Sequence, residues 1–196
     1  MDYYDRNARE YFDSTVHLNM EHLYQPFLEL IPRHGRILDA GCGSGRDSLY
    51  FKKQGYSVIA IDNSRELVKL ASDILGKNCL LMSFKEIEFK NEFDGIWACA
   101  SLLHVPKSEM DGVLLRLTRA LKVKGILYAS FKYGNDETVQ RGRFFSSYDE
   151  ESFKQLVKKH PTLRMLTMWK TEDIREKRQG EYWLNVLTKK EGILEK

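Results

Sequence analysis

The sequence is short of cysteine, proline and long apolar runs. Its three cysteines, Cys42, Cys79 and Cys99, form no C-x-x-C pair. That argues against a disulfide framework and a cysteine-based zinc site, and leaves buried free thiols in a reducing compartment as the expectation. No metal site is expected from ligand spacing. The four prolines form no Pro/Ser-rich tract, and with 12% aromatic residues the chain does not read as disordered or collagen-like. No apolar run approaches the ~20 residues that span a bilayer. The opening MDYYDRNAREYFD is charged and lacks the apolar core of a signal peptide. A cytoplasmic address with no membrane partner is the expectation.

Charge of one sign is also scarce. The formal net charge is +3, and residues 1–136 are balanced at 18 basic and 18 acidic side chains. The excess lies in residues 137–196, with 13 basic against 10 acidic. A solvated face accounts for so small a surplus, and RNA is kept as the alternative partner it would favour.

What is present is the pattern of one compact domain. A chain of 196 residues fits a single core of ordinary size. Three segments are expected within it: an N-terminal helical lid (1–34), a ligand-binding core (35–134), and a substrate-side loop with C-terminal strands (135–196). In the first, Tyr4, Ala8, Tyr11 and Phe12, then Leu23, Phe27, Leu28 and Ile31, recur at helical spacing. Pro32 and Gly35 close it. Strands are then expected at Ile37-Leu38, 56–61, 79–82, 93–100 and 125–131, alternating with helices near 44–54, from Ser64 to Gly76, and from Ser108 to Leu121. A helix near Asp149–Lys159 and strands near Leu163–Trp169 and Tyr182–Thr188 complete the chain.

Strands alternating with helices imply an α/β, Rossmann-like doubly wound fold, with a mostly parallel sheet and helices on both faces. Ligands in such sheets bind beyond the carboxyl ends of the strands, where strand order reverses. Informative residues should therefore follow strand ends.

The strongest signal follows the first strand, in Ile37-Leu38-Asp39-Ala40-Gly41-Cys42-Gly43-Ser44-Gly45-Arg46-Asp47. Three alternating glycines permit positive φ and let a ligand lie against bare backbone. The helix that begins there adds unpaired N–H groups. A dinucleotide fingerprint would need glycine at 46, where Arg46 stands, and no G-K-[ST] of a Walker loop follows. Asp39 beside the turn repels a phosphate and suits a cation. A ligand with an amino group or sulfonium, sugar hydroxyls and no phosphate fits better, and S-adenosyl-L-methionine has those parts. Asp62, ending the second strand, is placed to accept hydrogen bonds from both ribose hydroxyls.

ILDAGCGSGRDS, VIAIDNS, FDGIWACASLLHVPK and KVKGILYASFKYG occur in order at the usual intervals. Over roughly residues 1–188 the sequence thereby resembles a class I S-adenosylmethionine-dependent methyltransferase, of a small bacterial, tellurite-resistance-like kind. The resemblance implies a seven-stranded sheet, S-adenosyl-L-methionine as cofactor and S-adenosyl-L-homocysteine as product. It implies that Asp39, Gly41, Gly43 and Gly45 line the methionine end, and that Asp62 binds the ribose with Asn63 under the adenine. Ser83 stands where relatives often carry an adenine-binding Asp, and the backbone of Phe84 is a further contact. Ala98 and Leu102 occupy positions that usually touch the methionine portion and the adenine. Arg178, Glu181, Trp183 and Asn185 resemble a terminal motif of bacterial relatives that implies no substrate.

Methyl transfer from a sulfonium needs alignment and dryness more than a triad, so acceptor-side residues are harder to read. His104 is a candidate base or positioning group, or a hydrogen-bonded residue fixing the turn before Pro106. Tyr11 and Tyr4 belong to a lid or pack their helix on the sheet. Lys132 and Tyr133 follow the fifth strand at its ligand end and are candidates by position. Arg141 and Arg143, flanking Gly142, could grip a carboxylate or phosphate. Phe144 and Phe145 after them either cover a ring or belong to the core. The expected acceptor is a small molecule or nucleotide. RNA modification and a non-catalytic binding module are the alternatives. No obligate protein partner is indicated.

Overall fold

The computed structural model describes residues 3–175 and 178–192. The ends of the lid and C-terminal segments expected from the sequence, at 1–2 and 193–196, lie outside these residues, as do 176–177. Nine strands are described: β1 (Arg36–Ala40), β2 (Ser57–Asp62), β3 (Cys79–Leu81), β4 (Phe93–Ala98), β5 (Leu121–Lys132), β6 (Glu137–Gln140), β7 (Arg143–Ser146), β8 (Leu163–Glu172) and β9 (Tyr182–Lys190). Seven of them form one sheet in the order β3-β2-β1-β4-β5-β9-β8. Pairings from β3 through β5 are parallel, and β9 is antiparallel to both β5 and β8. Strand order reverses between β1 and β4, so the crevice expected of a doubly wound sheet opens above that pair.

The central strands read as near-continuous apolar runs because both faces are covered. Helices α3 (Glu21–Leu28) and α4 (Arg46–Lys53) cover one face. There Phe27, Phe51, Trp97 and Tyr128 form a buried aromatic cluster, with Trp97 stacked on Tyr128 at 3.8 Å between ring centroids. On the other face α6 (Lys107–Ala120) and α7 (Glu150–Lys158) bury Val113, Leu117, Phe153 and Leu156 against β4 and β5. Ser64 caps α5 (Arg65–Leu75), accepting a bond from Leu67 N–H at 3.2 Å.

The N-terminal region is helical, as α1 (Tyr3–Arg6), α2 (Ala8–Thr15) and α3. Helices α1 and α2 lie against α5, and Ser64 Oγ donates to Asp5 Oδ1 at 2.7 Å. One expectation changes. The segment around 135–146, expected as a loop, is a β6–β7 hairpin. Arg141 at φ 51° and Gly142 at φ 76° make its two-residue turn. Two successive positive φ values are the turn geometry that matches strand twist.

Candidate functional site

A cavity of about 520 Å³ opens at the switch point between β1 and β4. Its floor is the glycine turn. Gly41 has φ 85°, and a Cβ there would run into Ser101 Cβ. Gly43 has φ 54°, and a Cβ would stand 3.0 Å from the Tyr11 ring. Side chains at either place would strain the backbone and fill the cleft, so the bare turn is a requirement of the shape.

Asp62 faces this turn. Its Oδ2 accepts from Gly43 N–H and its Oδ1 from Ser64 N–H, each at 2.9 Å. The carboxylate is thereby fixed at the cavity wall. Asn63, Ser83 and Phe84 line the cavity beside it. Ser83 caps a short turn in which its hydroxyl donates to Glu86 at 2.7 Å.

The lid supplies the opposite wall. Tyr4 and Tyr11 line the cavity and meet edge to face at 5.2 Å. Burial raises the pKa of both hydroxyls; Arg143 beside Tyr4 pulls the other way, and Tyr4 adds to the rise at Tyr11. Both therefore present O–H groups. Tyr4 Oη lies 2.7 Å from His104 Nε2, and His104 Nδ1 lies 2.7 Å from the Phe144 carbonyl. A carbonyl only accepts, so Nδ1 carries the proton. In the neutral imidazole Nε2 is then the acceptor and Tyr4 Oη donates to it. His104, Arg143 and Phe144 line the same cavity.

Other residues named from the sequence stand elsewhere. Asp39 does not reach the cavity: it is buried behind the turn, where Ser48 Oγ donates to it at 2.6 Å. Gly45 is the N-cap of α4 and packs towards Ala71 and Leu75 of α5. Ala98 and Leu102 are fully buried in the core. Lys132 turns away to pair with Glu181 at 2.6 Å, and Tyr133, partly exposed, donates to Glu150 at 2.8 Å. Arg141 is exposed at the hairpin turn. Of the terminal motif, Arg178 and Glu181 pair at 3.7 Å, and Trp183 Nε1 donates to Asp173 at 3.2 Å. Asn185 ties strands together, accepting from Tyr128 Oη and donating to Thr171 Oγ1.

Sequence reasoning missed the buried network behind the site. Asp47 is ion-paired with Arg46 and accepts from Tyr24 Oη at 2.6 Å and Trp97 Nε1 at 2.7 Å. Burial alone would raise its pKa, but Arg46 and these donors outweigh it and hold the carboxyl below the usual range. Asp39 is pushed well up, by burial first and then by the charge of Asp47. A second cavity of about 90 Å³ lies on the far side of Tyr11, lined among others by Arg46, Cys99 and Arg175. Burial pushes the Cys99 thiol up to about 12. Among the described residues no cluster of three or more His, Cys, Asp or Glu could hold a metal, and no helix is long and apolar enough to cross a membrane.

Comparison with known proteins gives the same picture. The family model for the methyltransferase domain matches residues 37–125. The YqeM protein of Bacillus subtilis, named as a methyltransferase, is 32% identical over 113 residues, 52% of this chain and 46% of its own length. An uncharacterized methyltransferase of Staphylococcus carnosus is 27% identical over 150 residues, covering 69% of this chain and 72% of its own. The chain thus spans less than half of the Bacillus relative. In fold it is similar to a Burkholderia thailandensis 1,6-didemethyltoxoflavin-N1-methyltransferase, solved with its substrate and S-adenosylhomocysteine, at TM-score 0.76 and 20% identity over 96% of this chain and 84% of that one. Residues 37–125, the span from β1 into β5, thus match the methyltransferase domain, and the fold around them is similar to that of S-adenosylmethionine-dependent methyltransferases.

Proposed function

We propose that this protein transfers a methyl group from S-adenosyl-L-methionine to a small-molecule acceptor held in the 520 Å³ cavity. The observation that carries the reading is the Asp62 carboxylate, fixed by Gly43 and Ser64 N–H groups beside a turn with no room for a side chain. A carboxylate held at this wall can accept from two vicinal hydroxyls. Gly41 and Gly43 leave backbone to lie against the methionine portion, and Asn63, Ser83 and Phe84 form the adenine end. Asp39 and Gly45 act from behind, shaping the turn rather than touching the ligand.

The bound donor supplies a methyl on a sulfonium: the acceptor atom forms the new bond to carbon as the carbon–sulfur bond breaks, and its electron pair returns to sulfur. The chain's own part is alignment, water exclusion and removal of the acceptor's proton. The lid helices cover the cleft with Tyr4 and Tyr11. His104 and Tyr4 form a proton-accepting pair. An acceptor hydroxyl or N–H passes its proton to Tyr4 Oη while the Tyr4 proton moves to His104 Nε2, with Phe144 O holding the imidazole in the required tautomer.

A cavity of this volume under a lid lies in the usual range for small ligands. The small aromatic substrate in the Burkholderia neighbour's crystal supports the same acceptor class. Titration calorimetry tests the donor directly. Micromolar binding of S-adenosyl-L-methionine and S-adenosyl-L-homocysteine with none of NAD is expected, and absence of binding to either would overturn the reading.

A further inference from the structure

Arg143 is the unusual charge in this cavity. Four charged side chains line it: Asp62, Lys85, Glu109 and Arg143. Lys85 and Glu109 pair with each other at 2.8 Å, and Asp62 is held by backbone N–H groups. Arg143 has no carboxylate partner among the described residues. Its Nε has almost no access to solvent and makes no hydrogen bond. A buried donor left unpaired costs free energy, all the more on a cation.

The guanidinium is nonetheless held firmly. Its carbon lies 4.8 Å from the centroid of the Tyr3 ring and 5.1 Å from that of Phe145. Aromatic faces on a planar guanidinium fix its plane, and the terminal N–H edge not engaged by the Tyr4 hydroxyl is left for a ligand. The strand that carries Arg143 also carries Phe144, whose carbonyl orients His104. Arg143 therefore stands beside the Tyr4–His104 pair.

We infer that Arg143 is the recognition residue for a carboxylate on the acceptor, and that the substrate class is small aromatic carboxylic acids. This rests on the methyl-transfer reading. One guanidinium matches one monoanion, whereas a phosphate dianion would meet Glu109 and Asp62 with no further unpaired cation to balance it. The aromatic body follows from the side chains around the charge: Tyr4, Phe144 and Val105 all line the same space. The carboxylate would take the N–H edge of Arg143, and the ring would present its nucleophilic substituent towards Tyr4 Oη.

The test uses benzoate and its neutral isostere benzamide as probes, with phenyl phosphate as the competing anion. Binding to the full chain is measured by calorimetry with and without saturating S-adenosyl-L-homocysteine. Benzoate is expected to bind at least about tenfold more tightly than benzamide, the strength of a charge-assisted bidentate contact, and more tightly than phenyl phosphate. Arg143→Gln should abolish that preference and Arg143→Lys retain only part of it. S-adenosyl-L-homocysteine affinity should be unchanged in both variants. Equal binding of benzoate and benzamide, or a preference that survives in Arg143→Gln, would overturn the assignment. So would a preference for phenyl phosphate, or a loss confined to S-adenosyl-L-homocysteine affinity, which would give Arg143 to the cofactor's own carboxylate. Failure of the unmodified protein to bind S-adenosyl-L-homocysteine overturns the donor reading instead, and the benzoate comparison without it is read separately.

Discussion

Tyr4 Oη and His104 Nε2, 100 positions apart in the chain, meet at 2.7 Å. The contact joins helix α1 to the turn after β4, so the placement of that helix and the hydrogen bonding of the imidazole are linked. Replacing His104 with Ala should remove the terminal proton acceptor and lower kcat by about 10²–10⁴-fold, the usual contribution of a positioned base. Tyr4→Phe keeps the ring packing and removes only the O–H, so it should lower kcat while leaving S-adenosyl-L-homocysteine affinity intact. Near-complete activity in both variants would return the pair to a purely structural role.

Asp62 should matter for the donor and not for the acceptor. Its replacement by Ala removes hydrogen bonds to a charged group, and S-adenosyl-L-homocysteine binding should weaken by about 1.5–3 kcal/mol. Because the same carboxylate organises Gly43 and Ser64, Asp62→Asn is the needed companion, since it keeps one acceptor. Calorimetry should rank the affinities wild type, Asn, Ala. Equal affinity across the three would remove Asp62 from the ribose.

Gly43→Val combines a strained φ with a side chain driven towards Tyr11. Gly76 offers a control for the first effect, since it has φ 69° with nothing within 4 Å of a Cβ. Both Val variants should lose some stability to backbone strain, of order 1–3 kcal/mol. Only Gly43→Val should lose ligand binding. Thermal melts and calorimetry on the two proteins separate strain from obstruction, and equal affinities would mean that nothing lies against the turn.

Gly41, Gly43, Asp62 and His104 were legible because each follows a strand end at a recognisable interval. The sheet was legible for the same reason, since apolar runs and glycine stops alternate regularly as far as β5. Lys132 and Tyr133 follow a strand end too, yet the strand's terminus does not say where its side chains point. Glu181 and Glu150, brought in by later elements, decide that. The β6–β7 hairpin escaped notice because Arg141-Gly142 is not the Asn-Gly signal and the polar ETVQ has little strand character. Asp47 looked like the first turn of an ordinary helix. Its partners Tyr24 and Trp97 lie 23 and 50 positions away, and only packing joins them.

That network makes a stability prediction. Asp47→Ala leaves Arg46 without its counter-ion in a buried setting and strips acceptors from Tyr24 and Trp97. Breaking such a pair costs about 3–5 kcal/mol. Urea denaturation should show a loss of that size. A loss below about 1 kcal/mol would mean that Arg46 finds another partner or water.

Asp39 should act in the opposite sense, and pH reveals it. Burial and the charge of Asp47 raise its pKa in the folded protein, so the native state holds a proton that the unfolded chain releases near the ordinary value of about 4. Between the unfolded and the raised folded pKa the native state binds more protons, and stability contributed by this group falls as pH rises. Asp47, with its lowered pKa, contributes in the other direction and only on the acid side, losing its contribution as pH drops through its folded value. Asp39→Asn keeps an oxygen for Ser48 Oγ and removes the titration. The variant's stability relative to the wild type should therefore climb as pH is raised from about 4 towards neutrality. Denaturation curves for both proteins at pH 5, 6, 7 and 8 read this directly. Parallel stability–pH profiles would show that Asp39 does not carry the proton.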